Sequence, residues 1–341
     1  MFAAIDLGAN SLRLHIAEFD GATLRIAHTQ RAPLRLAAGL DGQGLLDPHT
    51  RAAALAILGG FRTTLAAWPL QGARAVGGAS LRALHPRESF LDEAGAALGQ
   101  RIEVLPVQEE GRLIYMGVAQ ILARPGERRM VLDIGGGATE LIVGHGSAVE
   151  RAEAYPVGTV RHALSFFGDG RFDRAGFDAA IASAANQFAG AAGAPGVAAY
   201  GASGTLRALA RLVAANGIGD GRLSRANLWA LKERILALGS LGAVRSGGLE
   251  LAGIRSDRLL TLVGGLAIAL ALMQELQLEQ MTQTEAGLRM GVLWDLHQRL
   301  AGRPHNAILL RKLAGRFCPD AAEHPAVAYW LQAEQEWWDE A

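Results

Sequence analysis

Five carboxylates stand where chemistry could be done: Asp6, Asp133, Glu140 and the adjacent pair Glu109 and Glu110. Asp6 lies in Ala4-Ile5-Asp6-Leu7-Gly8-Ala9-Asn10-Ser11. Asp133 lies in Val131-Leu132-Asp133-Ile134-Gly135-Gly136-Gly137-Ala138-Thr139-Glu140, an imperfect echo 127 residues further on. Each reads as an apolar strand ending at Asp, a glycine-bearing turn and a second apolar strand. Such a turn presents backbone N–H groups that no side chain screens, and these cradle phosphate. An Asp at the end of the first strand is well placed to hold a cation or a water. Asp133 and Glu140 flank one turn, so their carboxylates can converge on one cation. Mg²⁺ typically takes one or two carboxylates plus phosphate oxygens and waters. A single hairpin of this kind is an ordinary turn. Two with Asp and Gly in register suggest related halves facing each other across a phosphate.

A third element points the same way. The run Val197–Tyr200 leads into Gly201-Ala202-Ser203-Gly204-Thr205 and then a helical pattern from Leu206. A strand, a glycine loop and a helix start put Gly204 and Thr205 where free N–H groups can meet phosphate. The plain alternative is a helix cap at Ser203 or Thr205. Glu109 and Glu110 open a helix, where the dipole alone favours acids. Other chemistries lack their residues. The nine His show no metal-ligand spacing. There is no Gly-x-x-x-x-Gly-Lys, no Gly-x-Gly-x-x-Gly after a strand and no Gly-x-Ser-x-Gly.

The elements that must position these residues alternate between strand and helix, which implies an α/β fold with helix-covered sheets. Helices are expected over Thr50–Trp68, Pro86–Leu98, Gln108–Leu122 and Glu285–Leu300, and strands over Ala73–Val76 and Ile102–Leu105. The charged, turn-rich Arg124-Pro125-Gly126-Glu127-Arg128-Arg129 marks a boundary. Residues 1–125 and 126–303 are read as two domains. Residues 304–341 are read as a helical tail whose Trp330, Trp337 and Trp338 dock it back on the body. The chain of 341 residues is 50% hydrophobic and 19% charged, enough material for two cores. Its 33 basic and 33 acidic residues balance, which argues against a nucleic-acid or membrane-surface partner. The single cysteine, Cys318, excludes an internal disulfide and a thiolate zinc cluster. The longest uncharged run, Leu259–Met273, has 15 residues and falls short of the ~20 that span a bilayer. It reads as a buried core helix. The start does not read as a signal peptide, and a cytoplasmic location is expected.

Taken together, these residues resemble the exopolyphosphatase/guanosine-pentaphosphate phosphohydrolase family of the actin-like ATPase superfamily. The resemblance rests on Ile5–Ser11, Gly77-Gly78-Ala79-Ser80-Leu81-Arg82, Glu109–Val118, Asp133–Glu140, Gly201–Thr205 and Gly287-Leu288-Arg289-Met290-Gly291, in family order across nearly the whole chain. It implies two actin-like domains with the active site in the cleft between them. It implies Glu110 as the carboxylate that activates or orients the attacking water. It puts Mg²⁺, with Mn²⁺ as the alternative, on Asp133 and Glu140, and Asp6 is a further metal candidate. It assigns Asn10, Ser11, Arg82 and the Gly135, Gly136, Gly137, Ala138, Thr139 backbone to phosphate, alongside Gly8, Gly204 and Thr205 from the turns above. The sequence departs from the family where Ala9 and Ala138 replace a common Ser, Gly78 and Ser80 a common Thr, and Met290 a common Glu. Longer members continue into a C-terminal domain related to the His-Asp phosphohydrolases; no His-Asp dipeptide occurs here.

The expected reaction is release of terminal phosphate from inorganic polyphosphate. The alternative is removal of the 5′ γ-phosphate of guanosine pentaphosphate; an actin-like kinase and a non-catalytic phosphate or nucleotide sensor rank lower. Positioning, charge neutralisation and one base suffice for such an anhydride. The cationic candidates beside the motifs are Arg13, Arg82, Arg112, Arg161 and Arg207. So small a set leads to the expectation that few terminal phosphates are gripped and that release is distributive. A homodimer, or the Trp-bearing tail, is the alternative route to a longer channel.

Overall fold

Phe2–Leu7 (β1) is apolar but for Asp6, apolar residues alternate along the first half of Ser11–Asp20 (β2), and the two pair antiparallel with Asp6 opposite Arg13. Ile5, Leu7, Leu12, Leu14 and Ile16 enter the core, so the pleat turns Asp6, Arg13 and His15 to the other face. The computed structural model of the chain describes residues 1–21, 23–85, 89–194 and 196–300. Thr23–Pro33 (β3) adds to β2, and Gly72–Gly77 (β4) and Ile102–Val104 (β5) add in parallel on the far side of β1. The order is β3-β2-β1-β4-β5. The Pro48–Ala66 helix covers this sheet, started by Asp47, which accepts from Thr50 N–H, and by Pro48 at its first position.

The second sheet repeats the plan. Arg128–Ile134 (β6), Thr139–His145 (β7) and Ala148–Tyr155 (β8) form an antiparallel meander with Asp133 opposite Glu140. Ala198–Gly201 (β9) and Thr282–Gln283 (β10) pair in parallel beyond β6, giving the order β10-β9-β6-β7-β8. The α/β, two-sheet architecture is therefore the one expected. The strands of one sheet lie within 2–104 and those of the other within 128–283, while Met1–Trp294 packs as one compact unit and Asp295–Ala341 forms a second. The whole of the expected tail, with Cys318, Trp330, Trp337 and Trp338, lies outside the described residues.

Two helices matter most for the site. Val107–Leu122, expected with the first half, packs on β6, β7 and β8 instead. Ile114, Tyr115 and Val118 meet Val131 and Ile142, the residues on the same face as Asp133 and Glu140. Gly111 allows the approach, since a Cβ there would come 2.7 Å from Ala152 Cβ. The apolar helix Leu259–Glu275 is long and apolar enough to cross a membrane when its preceding turn from Ser256 is included. It is instead the core of the second half, with Leu262–Met273 buried among the helices Thr159–Phe167, Arg174–Gln187, Gly204–Ala215 and Arg225–Leu238.

Candidate active site

The turns after β1 and β6 almost touch. A Cβ on Gly136 would lie 2.7 Å from Ala9 Cβ and 2.8 Å from Asn10 Nδ2, so glycine is needed for the approach. Asn10 Nδ2 also donates to Thr159 Oγ1 at 3.3 Å, tying the first hairpin to the segment that backs the second. That segment in turn donates Thr159 N–H to Gly135 O and Val160 N–H to Gly136 O, which fixes the glycine turn. Among the described residues, no backbone carbonyl accepts the N–H of Ala9, Asn10, Gly136, Gly137 or Gly204. All five residues line one cleft, joined by Gly8, Ser11, Gly135, Ala138 and Thr205. Unsatisfied N–H groups converging in this way make an anion cradle.

Glu110 is buried against the end of β4. A Cβ on Gly78 would fall 2.1 Å from its carboxylate, so the glycine makes room for the acid. Arg82 Nη1 donates to Glu110 Oε2 at 2.6 Å and to Leu105 O at 2.7 Å. Burial raises the Glu110 pKa, with Asp6 adding to the rise and Arg82 opposing it. Burial likewise raises Asp133 to about 6 and Glu140 well above the ordinary carboxylate value, with Glu110 the largest charged contributor to each. Mutual repulsion among Glu110, Asp133 and Glu140 is a demand for positive charge. Among the described residues, no three metal-type ligands form a ready-made cluster. The donor set therefore fits a Mg²⁺-like ion that takes one or two carboxylates and completes its shell from phosphate oxygens and water.

Five arginines, Arg13, Arg31, Arg207, Arg258 and Arg289, line the same cleft. Burial and their mutual repulsion lower Arg13 to about 9 and also lower Arg31, Arg207 and Arg258 from the usual arginine value. His15, beside them, is held neutral, its pKa pushed to about 3 by burial and then by Arg289. Five carboxylates, Asp6, Glu110, Asp133, Glu140 and Glu285, line the cleft too, and Arg289 and Arg207 pair with Asp6 and Glu285; crowded guanidiniums of this kind suit a multiply charged anion.

Several expected roles change. Asp6 lines the cleft, and its Oδ2 accepts from Arg289 Nη1 at 2.8 Å. Arg82 does not line the cleft, since its guanidinium is engaged by Glu110 and Leu105. Thr139, expected to offer its backbone, is fully buried with its hydroxyl donating to Val157 O at 2.7 Å, and it does not line the cleft. Arg112 grips Glu109 through two hydrogen bonds, at 2.7 and 2.8 Å, and Arg161 lines a neighbouring cavity instead. Ser203 caps its helix by accepting from Leu206 N–H, leaving Gly204 and Thr205 on the cleft. Sequence reasoning missed Arg31, Arg258 and the role of Arg289. Only Arg289 carried a signal, in its Gly-Leu-Arg-Met-Gly segment.

The family model described as the Ppx/GppA phosphatase family matches residues 15–300. A guanosine-5'-triphosphate,3'-diphosphate pyrophosphatase of Vibrio campbellii is 32% identical over 338 residues, covering 96% of this chain and 65% of that protein. A protein of the same name from Photobacterium profundum is 30% identical, covering 99% of this chain and 68% of that protein. The chain thus spans about two thirds of the length of these curated relatives. Among solved structures, an exopolyphosphatase-like protein superposes with a TM-score of 0.76 at 25% identity, covering 88% of this chain and 98% of that one. An Aquifex aeolicus Ppx/GppA family member gives 0.72 at 22% identity, covering 89% and 99%, a likeness of fold.

Proposed function

Because the chain belongs to the Ppx/GppA phosphatase family, we propose that it hydrolyses the terminal phosphoanhydride of inorganic polyphosphate and releases orthophosphate. The observation that carries this reading is the pairing of a buried carboxylate, Glu110, with a cleft walled by five arginines. The free N–H groups of Ala9, Asn10, Gly136 and Gly137 hold the terminal phosphate. The arginines hold the phosphates behind it. Glu110, its pKa raised by burial and its ionised form therefore the stronger base, takes a proton from the attacking water. The water oxygen bonds to the terminal phosphorus while the bridging P–O bond breaks, and the electron pair leaves on the shortened chain. Asp133 and Glu140 would hold a divalent cation, which supplies charge neutralisation at the phosphoryl oxygens.

A second reading is removal of the 5′ γ-phosphate of guanosine pentaphosphate, favoured by the names of the two curated relatives. The lining of the cleft supports the first, since among the described residues it includes no Phe, Tyr or Trp to stack on a base. Phosphate release from tripolyphosphate, long polyphosphate and guanosine pentaphosphate, each with Mg²⁺ and with EDTA, tests both. No release from any of them would overturn the hydrolase reading.

A further inference from the structure

Arg289 reaches the cleft from the first turn of the Leu288–Leu300 helix and is held there from two sides. Its Nη1 donates to Asp6 Oδ2 at 2.8 Å, and its Nε donates to His15 Nε2 at 3.2 Å. Asp6 stands on β1 and His15 on β2, and both line the cleft with Arg289. A guanidinium is flat and rigid, so fixing two of its nitrogens fixes the third. That third nitrogen, Nη2, donates to no protein group among the described residues, and the side chain keeps 16% of its surface open. His15 is bonded through one nitrogen. Because Nε2 accepts, the neutral ring carries its hydrogen on Nδ1, which is buried without a partner. Burial, then Arg289, Arg13 and Arg207, push the His15 pKa to about 3, so Nε2 stays an acceptor at neutral pH.

We propose that His15 is a positioning residue for substrate binding: its Nε2 holds the Arg289 guanidinium so that Nη2 is presented to the phosphate chain. The inference rests on the reading that the cleft arginines grip the phosphates behind the terminal one. His15 touches no phosphate and acts through Arg289. The choice of imidazole has a physical reason. Arg289 already faces one acid, Asp6. A second carboxylate in the place of His15 would hold the guanidinium as well but would cancel the charge the anion needs. A neutral acceptor fixes the group and leaves that charge in force. Without it, Arg289 would be tethered at Nη1 alone, and the substrate would have to order the side chain as it bound.

Calorimetric binding of a non-hydrolysable imido-triphosphate to the full chain, with Mg²⁺ present, tests this without turnover. His15→Leu, similar in volume but unable to accept, should weaken binding about tenfold. His15→Gln, whose Oε1 can stand near the place of Nε2, should recover most of that loss. In an Arg289→Ala background, adding His15→Leu should cost no more than about a further twofold, because the group it acts through is gone. In hydrolysis of tripolyphosphate, the His15→Leu loss should fall on KM and not on kcat, as for a contact that holds substrate and transition state alike. A variant that merely folded poorly would lose kcat instead. Equal binding by His15→Leu and the unaltered protein would overturn the proposal, as would the full tenfold loss on top of Arg289→Ala. No binding by the unaltered protein would overturn the reading of the cleft as a phosphate site, and the proposal with it.

Discussion

Glu109 and Glu110 are neighbours with opposite surroundings. Glu109 is held by Arg112 and, at 3.3 Å, by Arg74, and does not line the cleft. Glu110 lines it and meets one arginine. Glu110→Gln should therefore lose ~10²-fold or more in turnover with little change in KM. Glu109→Gln should keep most turnover and instead lower the melting temperature, because it weakens a buried charge network. Equal losses of activity would contradict the assignment. Asp133 carries a second prediction. Its pKa rises from 3.8 to about 6 on folding, so the native state binds this proton more tightly than the unfolded chain. Between those values stability from this group grows as pH falls; above about 6 the carboxylate is ionised in both states and its full penalty remains. In EDTA at neutral pH, Asp133→Asn should thus melt about 3 °C higher than the unaltered protein. The gap should shrink toward pH 5 and vanish with Mg²⁺. A variant that melts lower in EDTA at neutral pH would refute this. The acids and the glycine turns were legible in sequence because each sits at a fixed place in a short motif. Arg31 and Arg258 were not, because an arginine on a strand edge or before a helix looks like any surface cation until the fold brings it to the cleft.

At the level of elements, glycine contacts decide how closely the parts approach. A Cβ on Gly291 would fall 1.7 Å from Leu113 O, and one on Gly117 would fall 2.6 Å from Gly287 O. The Glu110 helix therefore rests backbone to backbone on the start of the Leu288–Leu300 helix, which sets Arg289 beside Asp6. Gly136→Ala should part the hairpin turns and lower turnover by ~10²-fold, the usual cost of misplacing reacting groups by about an ångström. Gly126→Ala, with nothing within 4 Å, is the matched control. If both variants kept full activity in a phosphate-release assay, close apposition of the turns would be unnecessary. The sequence reading found the two hairpins and most helices but not β3 or β8. Both are half-exposed edge strands rich in Arg, Thr, Glu and Ala, with no alternating apolar run. They form by pairing to β2 and β7, not by burying a face, and pairing leaves little trace in local composition. The helix over 107–122 was legible; its attachment to the second sheet was not, because Val131 and Ile142 reveal their common face only once the register is known.

For the whole molecule, zero net charge is matched in the cleft, where five arginines meet five carboxylates, Asp6, Glu110, Asp133, Glu140 and Glu285. The arginines are as many as the sequence reading counts, but only Arg13 and Arg207 belong to both sets. The Michaelis constant for long polyphosphate should rise steeply with salt, and Arg31→Ala and Arg258→Ala should each flatten the log–log slope by roughly one. A slope near zero in the unaltered protein would mean that the chain beyond the terminal phosphate is not held. The two sheets share one plan, and in each the hairpin Asp faces the residue seven positions on: Arg13 in one, Glu140 in the other. A duplicated scaffold has no sense of direction, and a linear anion could thread it either way. The exchange of one cation for one acid breaks that parity. On the proposed reading it would make the cleft a one-way fitting, with the tail of the polyanion drawn to the Arg13 side and its reactive end presented to the carboxylates.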